Sequence, residues 1–452
     1  MERPFGPRGL AIAIALAVAL FAVAFAVEVA IRPEDYIKHS DVPLYSGYGS
    51  EVVGGAVPYR DFYFEYPPGA LPLFVLPATR PIAFGSTSDA SWDPVNAAAR
   101  RYHRGFERFV FVLGAVIVVL SGLSLAALRR PRRAVALSLT IVALSPLVLG
   151  DVYPERFDVW PAALTAASIG ASLRGRYKLG GATLGLAAAA KVYPVLLLPP
   201  LLIVVARHRG LREATLVAAT TVGVAVAVFL PFAIMSFSAT WQALRVQFEG
   251  GLQIESLGSA ALVLASHASR KLAAIGLPGP FTLTDRPAEH GLSRGVLVGP
   301  GTTATATALN VFLVLALLWL WARMLRSKAD PREDLVRYAA ATVVTAVALG
   351  SVLSPQYLIW LIPLVPLVGG RRGTAATLTL AIAAILTHLW FPWGYFRYAA
   401  SLNVGPTTLL FARDLALLTT AILLALPRST LRAMRGGANR HMTIDGTYSG
   451  TL

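Results

Sequence analysis

The sequence predicts an all-α, polytopic membrane protein with about twelve transmembrane helices, within a range of ten to thirteen. Of its 452 residues, 56% are hydrophobic and only 14% are charged, whereas soluble globular proteins carry about 25% charged residues. Apolar runs recur along the chain, many of them near the ~20 residues that span a hydrocarbon core as a helix. Basic residues gather in short connectors between these runs, which is typical of the cytoplasmic side of membrane proteins.

The predicted spans follow the apolar runs in chain order. The first follows Arg3 and Arg8, and we interpret it as an uncleaved signal anchor because so many spans come after it. The two runs that flank Lys191 are short and could instead form a broken hairpin. The twelve candidate spans are 10–31, 105–128, 133–150, 157–173, 178–192, 193–206, 213–235, 303–325, 337–351, 356–370, 374–391 and 408–426.

One further apolar segment, 67–84, is interrupted by five prolines and is therefore predicted to lie along the outer interface or to re-enter the membrane. With that choice every dense basic cluster, including "RRPRR" at 129–133, falls on the cytoplasmic side. Both termini are then cytoplasmic, and the long loops 32–104 and 236–302 face outward, with interfacial helices expected in the first. Residues 1–427 are expected to form one membrane domain. The polar segment 428–452 is expected to be a disordered cytoplasmic tail.

Composition also excludes several classes of function. The net charge of +16 lies almost wholly on the inner segments, so nucleic-acid binding is not needed to explain it. Cysteine is absent, which excludes disulfides, thiolate catalysis and cysteine metal sites. The sequence has no P-loop, no Gly-rich dinucleotide turn and no convincing metal-ligand spacing. No cofactor is expected, and the arginine- and alanine-rich composition resembles that of high-GC bacteria such as actinobacteria.

The first polar cluster of the outer face is "DVPLYSGYGSEVVGGAVPYRDFYFEYPP" at residues 41–68. It contains Asp41, Tyr59, Asp61 and Glu65. Each acid could be an ordinary solvated loop residue, or it could be a general base that deprotonates an acceptor hydroxyl at the membrane surface.

Two clusters lie at the outer ends of later spans. In "GDVYPERFDVWP" at 150–161, Asp151, Glu155 and Arg156 could close a helical corner as an ion pair or could take part in function, since ionisable groups at such depth are costly. Lys191, in "AAAAKVYP", could snorkel to the interface. We favour the alternative that its ammonium binds a lipid phosphate.

Three more motifs belong to the same side. Glu255 lies in "RVQFEGGLQIESLGS" at 245–259, which could bind a sugar through hydrogen bonds or form an amphipathic interfacial helix. Gln356 lies in "SPQY" at 354–357. The segment "WFPWGYFRY" at 390–398 offers aromatic platforms, although an aromatic belt is the default interpretation.

Taken in order, the motifs resemble those of glycosyltransferase family 87, a family of the GT-C class. The motifs that carry the resemblance are "GGAVPYRDFYFEYPP", "GDVYPERFDVWP", "AAKVYP", "GLQIES" and "SPQYLIWLIPLVPL", and it runs from about residue 10 to 426. The resemblance implies a multi-span plasma-membrane enzyme with an outward-facing active site. Such an enzyme transfers a sugar, mannose in the characterised branch, from a polyprenyl-phosphate donor to a glycolipid or polysaccharide acceptor with inversion.

The resemblance also implies roles for individual residues. Asp41 matches the acid early in the first outer loop and is the expected catalytic base. Arg156 and Lys191 match later outer-face motifs, and we infer from their charge that they bind the donor phosphate. The absence of a "DxD" motif in the first loop favours a metal-independent reaction. The residues expected to bind substrate are Tyr59, Asp61, Glu65, Asp151, Glu155, Glu255 and Gln356.

The competing interpretation is a multi-span lipid or solute transporter or flippase. Such proteins place ionisable groups or broken helices near the bilayer midplane and often consist of related halves. Here the unusual residues gather at the outer ends of nearly charge-free spans, which favours the enzyme. The identity of the sugar and of the acceptor is left open.

Overall fold

The computed structural model describes residues 4–32, 40–78, 97–247, 250–272, 281–286 and 294–426. Most of these residues are helical, as the hydropathy pattern predicts. Short 3-10 turns at Pro68–Ala70, Gly150–Val152, Tyr193–Leu197 and Val365–Leu367 connect some of the helices. The helices are α1 Pro7–Ile31, α2 Val42–Val53, α3 Leu71–Val75, α4 Ala97–Ala127, α5 Arg132–Ala143, α6 Ser145–Leu149, α7 Val159–Leu173, α8 Tyr177–Ala190, α9 Leu198–Arg209, α10 Leu211–Met235, α11 Phe237–Val246, α12 Leu257–Leu272, α13 Thr302–Leu325, α14 Pro331–Leu349, α15 Tyr357–Leu361, α16 Gly370–Trp390, α17 Trp393–Ser401 and α18 Val404–Ala425.

Each of the twelve predicted spans overlaps a helix, although of the α-helices only the short α15 and the first residue of α16 lie within 356–370, and the predicted number of spans is not confirmed. Six described helices are long and apolar enough to cross a membrane, namely α1, α4, α10, α13, α16 and α18. The pair α5 and α6, bent by 51°, gives a seventh if it is one span. Helices α7, α8 and α9 have only 15, 14 and 12 residues, fewer than the ~20 that a span needs. The long apolar helices nevertheless indicate a multi-pass membrane protein.

The second long loop contains a two-stranded antiparallel hairpin, which the sequence analysis did not predict. Strands β1 (Thr282–Arg286) and β2 (Arg294–Val298) pair from Thr282 opposite Val298 to Arg286 opposite Arg294. Both strands are only five residues long, and their β-branched residues alternate with others at period two. A pattern this short is easily missed beside the long apolar runs. An isolated bridge from Gln253 to Val296 joins the hairpin to the loop before α12.

The proline-interrupted segment 67–84 does not form a long helix where it is described. The turn Pro68–Ala70 and helix α3 together cover eight residues, too few to cross a bilayer. Phe74 on α3 is fully buried in the protein core. Residues beyond Ala78 in this segment, like the predicted tail 428–452, lie outside the described residues. The predicted interfacial position of α2 and α3 remains a prediction.

Close helix packing and exposed apolar faces divide the bundle into an interior and a periphery. At Gly185 of α8 any Cβ would overlap the carbonyl oxygen of Thr221 on α10, so the missing side chain lets the two backbones approach, as small residues do in membrane bundles. Large apolar side chains of α10 and α13 remain exposed, for example Ile234 at 75% and Phe312 at 57%. A lipid environment would cover these faces.

Candidate active site

The predicted catalytic acid and one predicted phosphate-binding cation form a direct ion pair. Asp41 flanks the N-terminus of α2, and the guanidinium of Arg156 contacts its Oδ2. The Tyr45 hydroxyl, one turn further along α2, donates to the same oxygen at 3.3 Å. The Asp41 side chain is 29% exposed but that of Arg156 only 7%. Burial would lower the pKa of Arg156, but the charge of Asp41 outweighs this and raises it, so the guanidinium stays charged.

The second predicted phosphate-binding cation, Lys191, lies in a cage of one carboxylate and three aromatic rings. Its Nζ is 2.8 Å from Oδ1 of Asp158, and the Trp360 indole donates to that oxygen at 2.7 Å. The ring centroids of Phe157, Tyr357 and Trp360 lie 4.6, 5.7 and 5.5 Å from Nζ. The rings stabilise the ammonium by cation–π attraction. The cage therefore holds a charged lysine at a nearly buried position.

Breaks in the helices position these side chains, and the ring of Tyr45, which contacts Asp41, packs against the Phe157 ring of the lysine cage with centroids 5.7 Å apart. Helix α8 ends at Ala190 because the backbone of Lys191 is extended, with φ −156° and ψ 147°. Pro194 lies two residues beyond Val192, in the short turn that follows. The turn that carries Arg156 begins at Gly150, whose φ is +60°. A Cβ at Gly150 would also overlap the His388 imidazole, so only glycine allows the turn to lie against α16.

Glu155 is buried, and both of its carboxylate oxygens are engaged by protein groups. Oε1 accepts from Nη1 of Arg32 at 2.5 Å and lies 2.8 Å from Nε2 of His103. Oε2 accepts from the Ser40 hydroxyl at 2.5 Å. Arg32 also pairs with Glu107 at 3.0 Å and with Asp151 at 3.3 Å. Asp151 belongs to the same network, and the sugar contacts predicted for Glu155 and Asp151 remain predictions.

Three members of this network have the residue types of a metal site. The ligand atoms of His103, Glu107 and Glu155 all lie within 4.8 Å of one another. However, Nη1 of Arg32 contacts the same carboxylate oxygens of Glu107 and Glu155. Because this guanidinium already supplies positive charge between the carboxylates, we interpret the group as a buried ion-pair network.

Asp61 is separate from the Asp41 cluster. It is paired with Arg60 at 2.8 Å and accepts a hydrogen bond from the Val57 backbone N–H at 2.8 Å. The hydrogen bond from Arg60, followed by that from Val57, lowers the pKa of Asp61 to about 2. Its side chain is 37% exposed, and within the described part of the chain no contact joins it to Asp41. These contacts stabilise the turn of its own loop.

Glu65 and Tyr59 contribute to the wall beside the site. The backbone carbonyl of Glu65 accepts from the Gln247 side chain at 2.8 Å, which ties the first long loop to the second. The Tyr59 hydroxyl donates to the Tyr66 carbonyl at 2.5 Å. The Tyr66 ring packs edge-on against Phe157 with centroids 4.9 Å apart, so this wall reaches the turn that carries Arg156.

The loop before α12 brings Glu255 towards the site. Arg413 of α18 donates to the Glu255 carbonyl at 2.7 Å, and the Gln253 N–H donates to the Ser351 carbonyl at 2.9 Å. Burial raises the pKa of Glu255 to about 8, with a lowering contribution from Arg413, a raising one from Asp414 and a further lowering one from Arg156. Its Oε2 has no hydrogen-bond partner among the described residues. Burial therefore favours the protonated form of Glu255, which can donate a hydrogen bond.

Gln356 immediately precedes α15, the short helix that carries two rings of the lysine cage. The Ser354 hydroxyl donates to its Oε1 at 2.5 Å. The neighbouring ring of Tyr357 stacks on Trp360 with centroids 4.0 Å apart. Gln356 is thus next to the cage, where its predicted sugar contact stays a prediction.

The raised pKa of Glu255 predicts a stability that depends on pH. The folded protein keeps this proton up to about pH 8, whereas the unfolded chain loses it near 4.5. Between those values the folded state binds more protons, so its stability falls as pH rises, by several kcal/mol at most over the window. We expect Glu255→Gln to flatten the fall of the thermal midpoint from pH 5 to 9. Glu51→Gln, at an exposed acid of α2, is the matched control. A midpoint that falls equally steeply in both variants would contradict this assignment.

Residues 63–355, well over half of the chain, match the model described as Glycosyltransferase family 87. The match begins after Asp41 and includes Arg156, Lys191 and Glu255. No curated protein matches the chain. Among solved structures, the crystal structure of ArnT from Cupriavidus metallidurans bound to undecaprenyl phosphate is similar, with a TM-score of 0.45 and 14% identity over 94% of this chain and 79% of that chain.

Proposed function

Because the chain belongs to glycosyltransferase family 87, we propose that it transfers a sugar from a polyprenyl-phosphate donor to an acceptor hydroxyl outside the cytoplasm. The expected sugar is mannose, and the expected acceptor is a glycolipid or polysaccharide of the cell envelope. The observation that carries this proposal is a pair of ion pairs at helix breaks in an otherwise apolar bundle. Arg156 pairs with Asp41, and the caged Lys191 pairs with Asp158.

The two cations fit the charge of the donor. A polyprenyl-phosphate sugar is a phosphodiester with one negative charge, and charge-assisted hydrogen bonds from a guanidinium and an ammonium suit its oxygens. Before the donor binds, Asp41 and Asp158 balance Arg156 and Lys191. An incoming phosphate competes with Asp41 for Arg156. The carboxylate then becomes available to a second substrate.

The chemistry follows from this exchange. The acceptor oxygen attacks C1 of the sugar from the side opposite the phosphate, and its proton passes to Asp41 as the new bond forms. The bond between C1 and the phosphate oxygen breaks, and its electron pair leaves with the polyprenyl phosphate. Arg156 and Lys191 stabilise the charge that develops on this leaving group. Attack from the opposite side inverts the configuration at C1.

The site is proposed to lie on the outer face of the plasma membrane, with both termini in the cytoplasm. The distribution of basic clusters supports this orientation. Several of those basic residues also hold the opposite end of the bundle together. Arg207 pairs with Asp334 at 2.8 Å and Arg130 with Glu333 at 2.6 Å.

An assay with purified protein in lipid vesicles tests the function. Labelled polyprenyl-phosphate mannose and a panel of cell-envelope lipids and glycans are supplied, and we expect a labelled product that depends on the polyprenyl-phosphate donor. Nucleotide-linked mannose, supplied alone, is expected to give none. If no polyprenyl-phosphate sugar is consumed with any acceptor, while a lipid or solute crosses the vesicle membrane, the protein is a transporter and the proposal is wrong.

A further inference from the structure

Glu155 contacts Arg32 and Ser40, the two residues that flank the connection between α1 and Asp41, the proposed base. Arg32 follows α1 directly, and Ser40 stands immediately before Asp41. One oxygen of Glu155 accepts from Arg32 at 2.5 Å and the other accepts from Ser40 at 2.5 Å. A single buried carboxylate thus holds the end of α1 and the start of α2 together.

The next residue of the same turn engages the base itself. Arg156, which follows Glu155, pairs with Asp41, which follows Ser40. Two consecutive residues of the turn therefore contact two consecutive residues at the start of α2. A displacement of the contact between Glu155 and Ser40 would also displace the carboxylate of Asp41, because the two contacts share both backbones.

Glu155 is itself held from α4. His103 approaches Oε1 at 2.8 Å, and Glu107, one turn along α4, pairs with Arg32 at 3.0 Å. Burial would raise the pKa of Glu155, but His103, Arg32 and the Ser40 hydroxyl outweigh it and hold the pKa below its usual value. The carboxylate is therefore ionised and acts as an acceptor to both ends of the segment.

We propose that Glu155 is a positioning residue for Asp41, acting through the hydroxyl of Ser40, and that it does not bind the sugar. The inference rests on the proposed function, in which Asp41 must lie within hydrogen-bond reach of the acceptor hydroxyl. A misplacement of about 1 Å in such a group can lower a rate roughly a hundredfold. The alternative is that the network only stabilises the fold, as buried ion pairs can be retained without a direct role in the reaction.

The test is Ser40→Ala, which removes the hydroxyl that donates to Glu155 and accepts from the Val42 backbone N–H at 3.0 Å. It leaves the pairs of Asp41 with Arg156 and of Arg32 with Glu155 intact. We expect kcat for sugar transfer to fall about tenfold or more, while the Kd of the polyprenyl-phosphate donor stays within twofold. Ser40→Thr keeps the hydroxyl and is expected to restore kcat. Ser46→Ala on α2 is the matched control, because Ser46 is fully buried and its hydroxyl has no hydrogen-bond partner among the described residues.

Wild-type kcat in Ser40→Ala would overturn the positioning role. The role would also be overturned if Ser40→Thr failed to restore the lost kcat. The same holds if the loss of kcat in Ser40→Ala came with an equal loss of donor binding. A second readout does not need activity. The chain contains no cysteine, so spin labels at Glu51→Cys and Arg104→Cys, both exposed positions, report the distance between α2 and α4.

The distribution of distances between the two spin labels tests the positioning role of Glu155 separately from the proposed sugar transfer. In Ser40→Ala we expect a broader distribution than in the wild-type background or in Ser46→Ala. If the wild-type protein transfers no sugar but Ser40→Ala still broadens this distribution, the proposed function fails and the positioning contact stands. If the distribution is unchanged in Ser40→Ala, the positioning role is wrong whatever the activity of the protein.

Discussion

Asp41→Asn is expected to lower kcat for sugar transfer by roughly a thousandfold, within the 10²–10⁴ that general base catalysis contributes. Asparagine has nearly the same shape, and its oxygen can still accept from Arg156 and Tyr45, which contact Oδ2 of Asp41 in the wild-type protein. It cannot take up the proton that the acceptor hydroxyl must lose. The expected defect is therefore in the chemical step and not in the architecture of the site.

Donor binding distinguishes this defect from misfolding. With Asp41 neutral, the donor phosphate no longer competes with a carboxylate for Arg156. We therefore expect the donor Kd of Asp41→Asn to equal or fall below that of the wild-type protein. Transfer is measured at saturating labelled donor, and Kd is measured by equilibrium binding in the same lipid. Glu51→Gln, at an exposed acid of α2, is the matched control and is expected to keep full activity. Full activity in Asp41→Asn would exclude Asp41 as the base and direct attention to Glu65.

The sequence is sufficient to locate most helices, because hydropathy acts locally along the chain. It does not determine how many of them cross a membrane. Helices α7 and α8 are apolar but have only 15 and 14 residues. From the sequence alone, an apolar run that packs against lipid cannot be distinguished from one that packs against protein. The β hairpin was missed for a related reason, since two five-residue strands carry little periodic signal.

For the site, the sequence identified charged residues but not the residues that they contact. Asp41, Arg156 and Lys191 could be singled out because a charged group beside a long apolar run is conspicuous. Their partners could not be assigned. Trp360 reaches Asp158 across 202 positions and Arg32 reaches Glu155 across 123, and no local pattern encodes such contacts. Arg32 and His103 stand near the ends of apolar runs, which is the one signal that could have drawn attention to them.

Asp61 illustrates the opposite case. Its motif "YRDFYFEYPP" drew attention to it as a substrate ligand, yet its contacts are a pair with the adjacent Arg60 and a hydrogen bond from Val57. An acid in a turn often accepts a nearby backbone N–H. The contacts of Asp61 are thus those of a turn residue, and its role as a substrate ligand remains a prediction.

The second large effect is expected from Arg156→Gln. Removing the guanidinium deprives the donor phosphate of charge-assisted hydrogen bonds worth about 1.5–3 kcal/mol each, so we expect the donor Kd to rise by roughly ten- to a hundredfold. We also expect kcat to fall, because the same charge stabilises the departing phosphate. The fold should survive, since Asp41 is 29% exposed and can be solvated once its partner is lost. Arg212→Gln, at an exposed residue in the first turn of α10, is the control and should change neither quantity.

The double variant Asp41→Asn with Arg156→Gln tests whether donor phosphate and base compete for one cation. If they do, Asp41→Asn tightens donor binding only while Arg156 is present, and the substitution has no effect on Kd in the Arg156→Gln background. The two changes are then non-additive, which a double-mutant cycle on Kd measures directly. Additive effects would mean that Arg156 does not exchange Asp41 for the phosphate. Because the cycle compares binding and not turnover, it remains informative even for variants too slow to assay.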